Sequence, residues 1–242
     1  MPNEKIITVF LDEHIRVIHK PINICFHSDD DAQGVVSLVR ATYPDETLFP
    51  IHRLDKMTSG LMIFARSTKA NEALSKMLEE KKIEKYYLAL SKQKPSKKQG
   101  AVIGDMTKGR RGSYLLLRDK IKPACTYFFT KSFLLNNERF WFFALKPETG
   151  KTHQLRVAMK SLASPVYGDV RYEKNSVQVG GDRGYLHAYK MRFDLFEKRY
   201  EICDENFTGK FFDLIDQSKN AEIKVLLSPE NLNWPKRAFK LT

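Results

Sequence analysis

The sequence predicts a single domain of mixed α/β class that spans residues 1–242 and is built on a large sheet. Three observations support this prediction. The chain has 242 residues, of which 42% are hydrophobic, so it can bury a sizeable core. Short apolar runs typical of strands are interspersed with segments of helical periodicity. No repeat, low-complexity linker or change in composition divides the chain.

The first elements are a hairpin and a short helix. Residues 6–11 and 15–20 are typical of strands, the turn falls at 12–14, and Pro21 ends the second strand. Residues 35–39 favour a short helix that ends near Pro44.

A capped helix and a strand come next. Ser67 or Thr68 is a suitable N-cap for a helix that begins near Lys69. Its apolar residues recur at helical spacing and predict one buried face, formed by Ala70, Leu74, Met77 and Leu78. Lys85 to Ser91 then predicts a strand in which Tyr87 and Ala89 face one way and Tyr86, Leu88 and Leu90 face the other.

The segment from Lys94 to Lys122 is strongly basic. Nine Lys or Arg residues, among them Lys108, Arg110 and Arg111, stand against two Asp residues, which leaves a net charge of +7. Four glycines interrupt the segment, so we expect a mobile basic loop region suited to a phosphate backbone. A solvated loop without a ligand is the alternative.

The last elements are again mixed. Strands are predicted at 124–129 and 140–145 and a helix at 152–162, while apolar segments at 185–196 and 223–227 complete the fold.

Charge and composition restrict the function classes. The net charge of +12 favours a polyanionic partner, although a basic protein with no nucleic-acid role remains the alternative. No apolar run approaches the roughly 20 residues that span a bilayer, and Met1 to Lys5 do not begin a signal peptide. The three cysteines lack metal-ligand spacing and are odd in number, which favours small core residues over a disulfide framework. We therefore expect a cytoplasmic protein without membrane contact.

The segment His52 to Leu61 is the first candidate site. Asp55 lies between the cations Arg53 and Lys56, and a Thr-Ser-Gly turn leads into the apolar run 61–65. A charged cluster held between a turn and a buried strand is typical of the edge of an active site. A surface loop with ordinary ion pairs fits the same residues.

The segment Glu148 to Arg156 is the second candidate, because it enters a helix from a glycine turn. Leu155, Met159 and Leu162 share one face, and His153, Arg156 and Lys160 form an adjacent cationic stripe. With Thr152 as a suitable cap, the helix start offers backbone N–H groups to an anion. An ordinary amphipathic helix is the alternative.

Taken together, these motifs strongly resemble those of the RluA-type pseudouridine synthases. The matching segments follow the family order from about residue 6 to residue 200. They are Asp12-Glu13-His14 with Lys20-Pro21, His52-Arg53-Leu54-Asp55 with Thr58-Ser59-Gly60-Leu61, Lys85-x-Tyr87-x-Ala89, Thr149 to Val157, Pro165 to Asp169 with Tyr172, and Leu186-His187-Ala188. The resemblance implies the pseudouridine synthase fold, a large mixed and mostly antiparallel sheet flanked by helices and loops.

The resemblance also implies a reaction. An RNA uridine is isomerised to pseudouridine without metal or organic cofactor, and Asp55 matches the catalytic residue. The carboxylate either attacks ribose C1′ or removes a ribose proton to give a glycal, and the sequence does not decide between these. Arg156 matches the arginine that keeps the carboxylate ionised, because a nearby guanidinium favours its charged form. Tyr87 matches the tyrosine that stacks on the target base.

The remaining implied roles concern RNA. Arg53 matches the residue that holds the flipped nucleotide or fills its place. His52 and His153 are expected chiefly to fix their turns. The residues expected to bind RNA or substrate are Arg53, His52, Leu155, Lys151, Lys108, Arg110 and Arg111. The expected partner is ribosomal or transfer RNA, bound by a monomer with no separate N-terminal RNA-binding domain.

Two other function classes compete with this hypothesis. A non-catalytic RNA-binding module on the same fold would not require Asp55 and Arg156. A basic nuclease or hydrolase would require a carboxylate cluster or nucleophile triad, and the sequence shows neither.

Overall fold

The structure is a computed structural model that describes residues 6–28, 33–135, 137–173, 182–216 and 221–235. Residues 1–5, on which the expectation about a signal peptide depends, lie outside these ranges. The chain divides into two compact units. The first comprises residues 1–85 and 187–207, and the second comprises 86–186 and 208–242. The expectation of a single domain remains a prediction.

The described residues form twelve strands and five α-helices. In chain order they are β1 Ile7–Leu11, β2 Ile15–Lys20, α1 Val35–Thr42, β3 Phe49–Pro50, β4 Ser59–Ala65, α2 Thr68–Glu79, β5 Glu84–Ser91, β6 Gln99–Gly104, β7 Met106–Lys108, β8 Tyr114–Leu116, β9 Ala124–Leu135, β10 Glu138–Pro147, α3 Gln154–Ser161, β11 Leu186–Leu195, β12 Lys198–Cys203, α4 Lys210–Asp216 and α5 Ala221–Lys224.

The strands of the first unit form a mixed, mostly antiparallel sheet. β1 pairs with β2, β2 with β4, β3 with β4, and β12 with β11, all antiparallel. β4 and β11 are parallel neighbours. The predicted β1–β2 hairpin is confirmed, and Asp12 Oδ1 fixes its turn by accepting bonds from the backbone N–H groups of His14 (2.9 Å) and Ile15 (3.0 Å).

The α2 helix covers one face of this sheet, as its apolar spacing predicts. Ser67 is its N-cap, and the Ser67 hydroxyl accepts a bond from the Ala70 N–H at 3.1 Å. Ala70 and Leu74 are fully buried against residues of β2 and β4, while Met77 and Leu78 are partly buried at the edge of the same core. The predicted cap and buried face are therefore confirmed.

The strands of the second unit form an antiparallel sheet in the order β5-β10-β9-β6. β9 and β10 make a long hairpin whose apolar residues fill the core of this unit. They include the fully buried Phe128, Phe140, Phe142 and Phe143. With the first unit, this confirms the predicted mixed class and its mostly antiparallel strands.

The prediction that Lys94 to Lys122 is a loop region is wrong. The segment contains β6, which pairs with β9 from Gln99↔Phe129 to Gly104↔Ala124, and the separate β7–β8 hairpin. Its many glycines and cations mask the strand pattern in the sequence. Pairing with a long, regular neighbouring strand supplies the order that the local sequence lacks.

Candidate active site

Asp55 lies in the short connection between β3 and β4 of the first unit. Leu54 is buried, Asp55 is half-buried, and Arg53 is exposed. The Thr58 N–H donates to the Asp55 carbonyl at 3.0 Å and closes a turn directly before β4. The apolar run that the sequence assigned to a buried strand is β4, in which every residue is buried. The turn that contains the candidate carboxylate therefore leads directly into a rigid strand.

His52 fixes this connection to β4. The Ile51 N–H donates to the Ile63 carbonyl at 3.0 Å, and the Ile63 N–H donates to Nε2 of His52 at 3.2 Å. The imidazole thus replaces a backbone carbonyl as the acceptor where the hydrogen bonds between β3 and β4 would continue. Loss of solvation, together with the nearby charge of Lys85, lowers the pKa of His52 to about 3. The ring is neutral near pH 7 and can accept this bond, while an RNA-binding role for His52 stays a prediction.

Lys20 supports the same connection from β2. Its side chain is fully buried, and Nζ donates to the carbonyl of Pro21 at 2.6 Å and to the carbonyl of Lys56 at 3.3 Å. Lys20 belongs to a family motif, but no role was predicted for it from the sequence. The available signal was a lysine at the end of a strand whose other residues are mainly apolar.

A buried polar chain joins β4 to β11 behind the Asp55 turn. Ser59 Oγ lies 2.8 Å from His187 Nδ1, His187 Nε2 lies 3.0 Å from the Asp204 carbonyl, and Asp204 Oδ2 lies 2.6 Å from His19 Nδ1. Burial alone would raise the pKa of Asp204, but its bond with His19 and the nearby His187 hold that pKa below its usual value.

These residue types are those of a nucleophile triad, but their burial gives them another use. Ser59, His187 and Asp204 are completely buried, so a substrate cannot reach the Ser59 hydroxyl. These buried hydrogen bonds instead hold β4 in register with β11, where His187 pairs with Ser59 and Ala188 with Gly60. Gly60 has φ +110°, and a Cβ built there would lie 2.3 Å from the Ala188 carbonyl oxygen. Only glycine permits this approach.

Tyr87 lies on β5 of the second unit, opposite Leu145 of β10. Its neighbour Tyr86 packs against Trp234, with ring centroids 6.1 Å apart. The contact of Tyr86 is that of a core residue. Tyr87 is largely buried as well, with 8% of its surface exposed. The choice of Tyr87 as the base-stacking residue stays a prediction.

Arg156 forms a buried bidentate ion pair within the second unit. Its Nε donates to Asp169 Oδ2 at 2.7 Å and its terminal nitrogen to Asp169 Oδ1 at 2.8 Å. Arg156 is 6% exposed and Asp169 is completely buried. A planar carboxylate bonded in this way fixes the plane of the guanidinium. Asp169 belongs to a predicted motif, but its pairing with Arg156 was not predicted from the sequence.

The start of α3 differs from the prediction. The helix begins at Gln154, its N-cap is His153 rather than Thr152, and His153 has a left-handed backbone (φ 58°) and makes no side-chain cap bond. The Gln154 side chain instead orders the turn that precedes the helix. Its Oε1 accepts from Thr149 Oγ1 at 2.6 Å and from the Lys151 N–H at 3.1 Å. Arg156 and Gln154 are buried with the apolar residues, and of the predicted cationic stripe only Lys160 is exposed.

The other predicted RNA-binding residues fall in two places. Lys108, Arg110 and Arg111 are exposed on the β7–β8 hairpin. Leu155 is buried in α3, and the Lys151 ammonium donates to the Lys122 carbonyl. Asp55, His52 and Arg53 belong to the first unit, whereas Tyr87, Arg156 and the residues of this paragraph belong to the second.

Two general findings concern the described residues. Within the described ranges, no three His, Cys, Asp or Glu side chains are grouped as a metal ion would require. No helix in that part of the chain is long and apolar enough to cross a membrane.

The chain is similar to proteins of one family. Residues 14–161 match the family model for RNA pseudouridylate synthase. An uncharacterized RNA pseudouridine synthase of Haemophilus influenzae is 46% identical over 196 residues, which cover 81% of this chain and 85% of that protein. The ribosomal large subunit pseudouridine synthase D of Borreliella burgdorferi is 29% identical over 222 residues, covering 86% of this chain and 67% of that protein.

The fold has a solved counterpart. The structure of human RNA pseudouridylate synthase domain containing 1 superimposes with a TM-score of 0.75, covering 96% of this chain and 98% of that one. The two sequences are 22% identical, so this likeness concerns the fold.

Proposed function

The chain belongs to the RNA pseudouridine synthase family, whose members are isomerases, and from that premise we propose that Asp55 is its catalytic carboxylate. The main support is the position of Asp55. It is half-buried in the turn that leads into the rigid strand β4, and His52 and Lys20 hold this turn. Such a position limits solvent access and still leaves the carboxylate reachable by a flipped nucleotide.

Arg156 has the second role in this proposal, which is to keep the carboxylate of Asp55 ionised. A buried guanidinium favours the charged form of a carboxylate. Asp169 fixes the plane of Arg156 with two bonds and thereby determines the direction in which the rest of the guanidinium can act. Tyr87 stacks on the uracil, and Arg53, exposed beside Asp55, contacts the RNA around the flipped nucleotide.

The reaction detaches uracil from ribose C1′, turns the base over and joins C1′ to C5. The proton on C5 is released to solvent. Asp55 acts either as the nucleophile at C1′ or as the base that removes a ribose proton. Both routes need an ionised carboxylate in a site that retains the detached base.

The proposed substrate is ribosomal RNA, with transfer RNA as the second candidate. The support is that a relative covering 86% of this chain is named for the ribosomal large subunit. The basic β7–β8 hairpin supplies contacts to the phosphate backbone. The proposal also includes that the enzyme is cytoplasmic and acts as a monomer. Sedimentation of the protein with and without RNA would test the monomeric state.

Release of tritium tests the proposed chemistry. Ribosomal and transfer RNA fractions carrying tritium at uracil C5 are incubated with wild-type protein, with Asp55→Asn and with Asp45→Asn, which changes an exposed aspartate outside the site. We expect release by the wild type and by Asp45→Asn, and none above background by Asp55→Asn. Release that persists in Asp55→Asn would remove Asp55 from the reaction. No release by the wild type from either fraction would favour the non-catalytic RNA-binding module.

A further inference from the structure

The turn of the β7–β8 hairpin is fixed by its own hydrogen bonds. The Gly109 N–H donates to the Ser113 carbonyl at 2.8 Å, and the Ser113 hydroxyl donates to the Arg110 carbonyl at 2.8 Å. Arg111 has a left-handed backbone with φ 52° and ψ 40°. The side chains of Arg110 and Arg111 are exposed. The hairpin is therefore a shaped, cationic projection, and under the proposed function it contacts RNA phosphates.

Tyr172 anchors this hairpin. The backbone N–H of Tyr114, the first residue of β8, donates to the Tyr172 hydroxyl at 2.7 Å. The same hydroxyl lies 3.0 Å from His153 Nδ1. The His153 ring makes edge-to-face contacts with both tyrosines, with centroids 5.4 Å from Tyr114 and 5.7 Å from Tyr172. Arg171, next in sequence, donates from its guanidinium to the Arg111 carbonyl at the tip of the hairpin.

Tyr172 is also connected to Arg156 through Asp169. Asp169 Oδ1 accepts bonds from the backbone N–H groups of Arg171 (3.0 Å) and Tyr172 (3.2 Å). The carboxylate that orders this turn is thus the one that binds Arg156 in a bidentate manner. The Arg156 guanidinium carbon also lies 5.0 Å from the centre of the Tyr172 ring.

The Tyr172 hydroxyl is suited to a permanent structural bond. Burial raises its pKa, and this effect outweighs the opposing influences of the Tyr114 N–H and the Arg156 charge. The hydroxyl keeps its proton at physiological pH. It can therefore accept a bond from Tyr114 and share a second one with His153.

We infer that Tyr172 is a positioning residue that links RNA contact at Arg110 and Arg111 to the orientation of Arg156. The inference rests on the proposed function and deepens it. RNA that holds the hairpin in place also holds Tyr114, the Tyr172 hydroxyl and the turn ordered by Asp169. Arg156 is then presented in one orientation when RNA is bound, and the orientation is less well defined when the hairpin is free.

The variant Tyr172→Phe tests the link because it keeps the ring and removes the hydroxyl. We expect the single-turnover rate at saturating RNA to fall about tenfold, the effect of losing a buried hydrogen bond that orients a reacting group, while RNA affinity changes less than threefold. Tyr185→Phe is the matched control. Its buried hydroxyl accepts the Phe211 N–H at 3.2 Å in the same unit, and we expect its rate to equal that of the wild type.

A double-mutant cycle separates a link from two independent effects. Arg110→Ala/Arg111→Ala is measured in the wild-type and the Tyr172→Phe backgrounds. In the wild-type background the arginine changes should lower both RNA affinity and the saturated rate. In the Tyr172→Phe background they should lower affinity and leave the rate within twofold. Rate effects that simply multiply would overturn the inference.

Hydrogen exchange gives a readout that does not need activity. In the wild type, added ribosomal RNA fragments should slow exchange of the Arg171 and Tyr172 amides, which are bonded to Asp169. In Tyr172→Phe the RNA should leave that exchange unchanged. If the wild type modifies no RNA, the proposed function fails and this exchange difference alone decides the link. If the wild type is active but RNA slows exchange equally in both proteins, the link is wrong and the proposed function stands.

Discussion

Arg156 and Asp169 form a buried, bidentate ion pair within the second unit. Removing two charges from water is costly, and the pair offsets this cost through two short bonds in a fixed plane. Its value to the molecule is therefore mainly directional.

The variant Asp169→Asn should destabilise the protein strongly. It leaves the Arg156 guanidinium buried without its carboxylate, and we expect the free energy of unfolding to fall by about 3–5 kcal/mol. Denaturant titration followed by circular dichroism measures this. Asp194→Asn is the control, because Asp194 lies 3.5 Å from Arg199 in a pair whose side chains are 66% and 59% exposed. That variant should lose no more than about 1 kcal/mol, and equal losses would show that Arg156 does not need Asp169.

His52 should make stability depend on pH between 7 and 5, above the range in which most carboxylates titrate. Its folded-state pKa of about 3 lies below the ordinary value of 6.5, so the unfolded chain takes up the proton first. Stability is lost as pH falls from about 6.5 toward about 3. At pH 5 this amounts to about 2 kcal/mol.

Unfolding titrations at pH 7 and pH 5 check this effect. The wild type should lose more stability between the two pH values than His52→Gln, by about 2 kcal/mol. Glutamine keeps an acceptor for the Ile63 N–H and does not titrate. Parallel losses in the two proteins would mean that His52 is protonated in the folded state at pH 5.

The parallel contact of β4 with β11 holds the Asp55 turn in place. It depends on Gly60, where a Cβ would meet the Ala188 carbonyl, and on the buried bond between Ser59 and His187. Ser59 and Gly60 directly follow the turn. A change that moves β4 away from β11 therefore also moves the turn that contains Asp55.

Gly60→Ala should be among the most damaging small substitutions in the first unit. The left-handed backbone and the 2.3 Å approach together predict a loss of about 3 kcal/mol or more. Gly150→Ala is the comparison, because no atom lies within 4 Å of a Cβ built there. That change should shift stability by less than about 1 kcal/mol. Thermal and denaturant unfolding of the two variants decide the point, and similar small losses would contradict the close approach.

The β7–β8 hairpin should carry part of the salt dependence of RNA binding. Arg110→Glu/Arg111→Glu removes two phosphate contacts, so the slope of log affinity against log salt should become shallower by about 1.4. Lys69→Glu/Lys76→Glu makes the same charge change on exposed positions of α2. Filter-binding titrations at several salt concentrations should show a small, general weakening in this control. If the control variant changes the slope as much as the hairpin variant does, the hairpin contributes to binding only through its net charge.

Across the whole chain, the features that the sequence predicts well are local ones. The β1–β2 hairpin depends on Asp12 and its two following N–H groups, and α2 depends on Ser67 and on apolar residues spaced along one face. The proposal for Asp55 has the same local basis, because its motif occupies consecutive residues. Physical causes that lie within a few residues can be read from the chain directly.

The features that the sequence analysis missed depend on distant partners. Asp204 joins His19 and His187 across 185 and 17 residues, and β6 becomes a strand because β9 pairs with it. Composition gave no sign of either. The start of α3 was missed for another reason. Thr152 is a good cap by residue type, but the Gln154 side chain already bonds to Thr149 and to the Lys151 N–H.

The most direct test of Asp55 as the catalytic carboxylate of an RNA-modifying enzyme is a map of pseudouridines in cells. Ribosomal and transfer RNA are mapped in cells that lack the gene and in the same cells supplied with wild-type protein, Asp55→Asn or Asp45→Asn. We predict that one or more pseudouridines disappear without the gene and return with the wild type and Asp45→Asn, but not with Asp55→Asn. Return of those pseudouridines with Asp55→Asn, or a map that does not change when the gene is removed, would contradict the account.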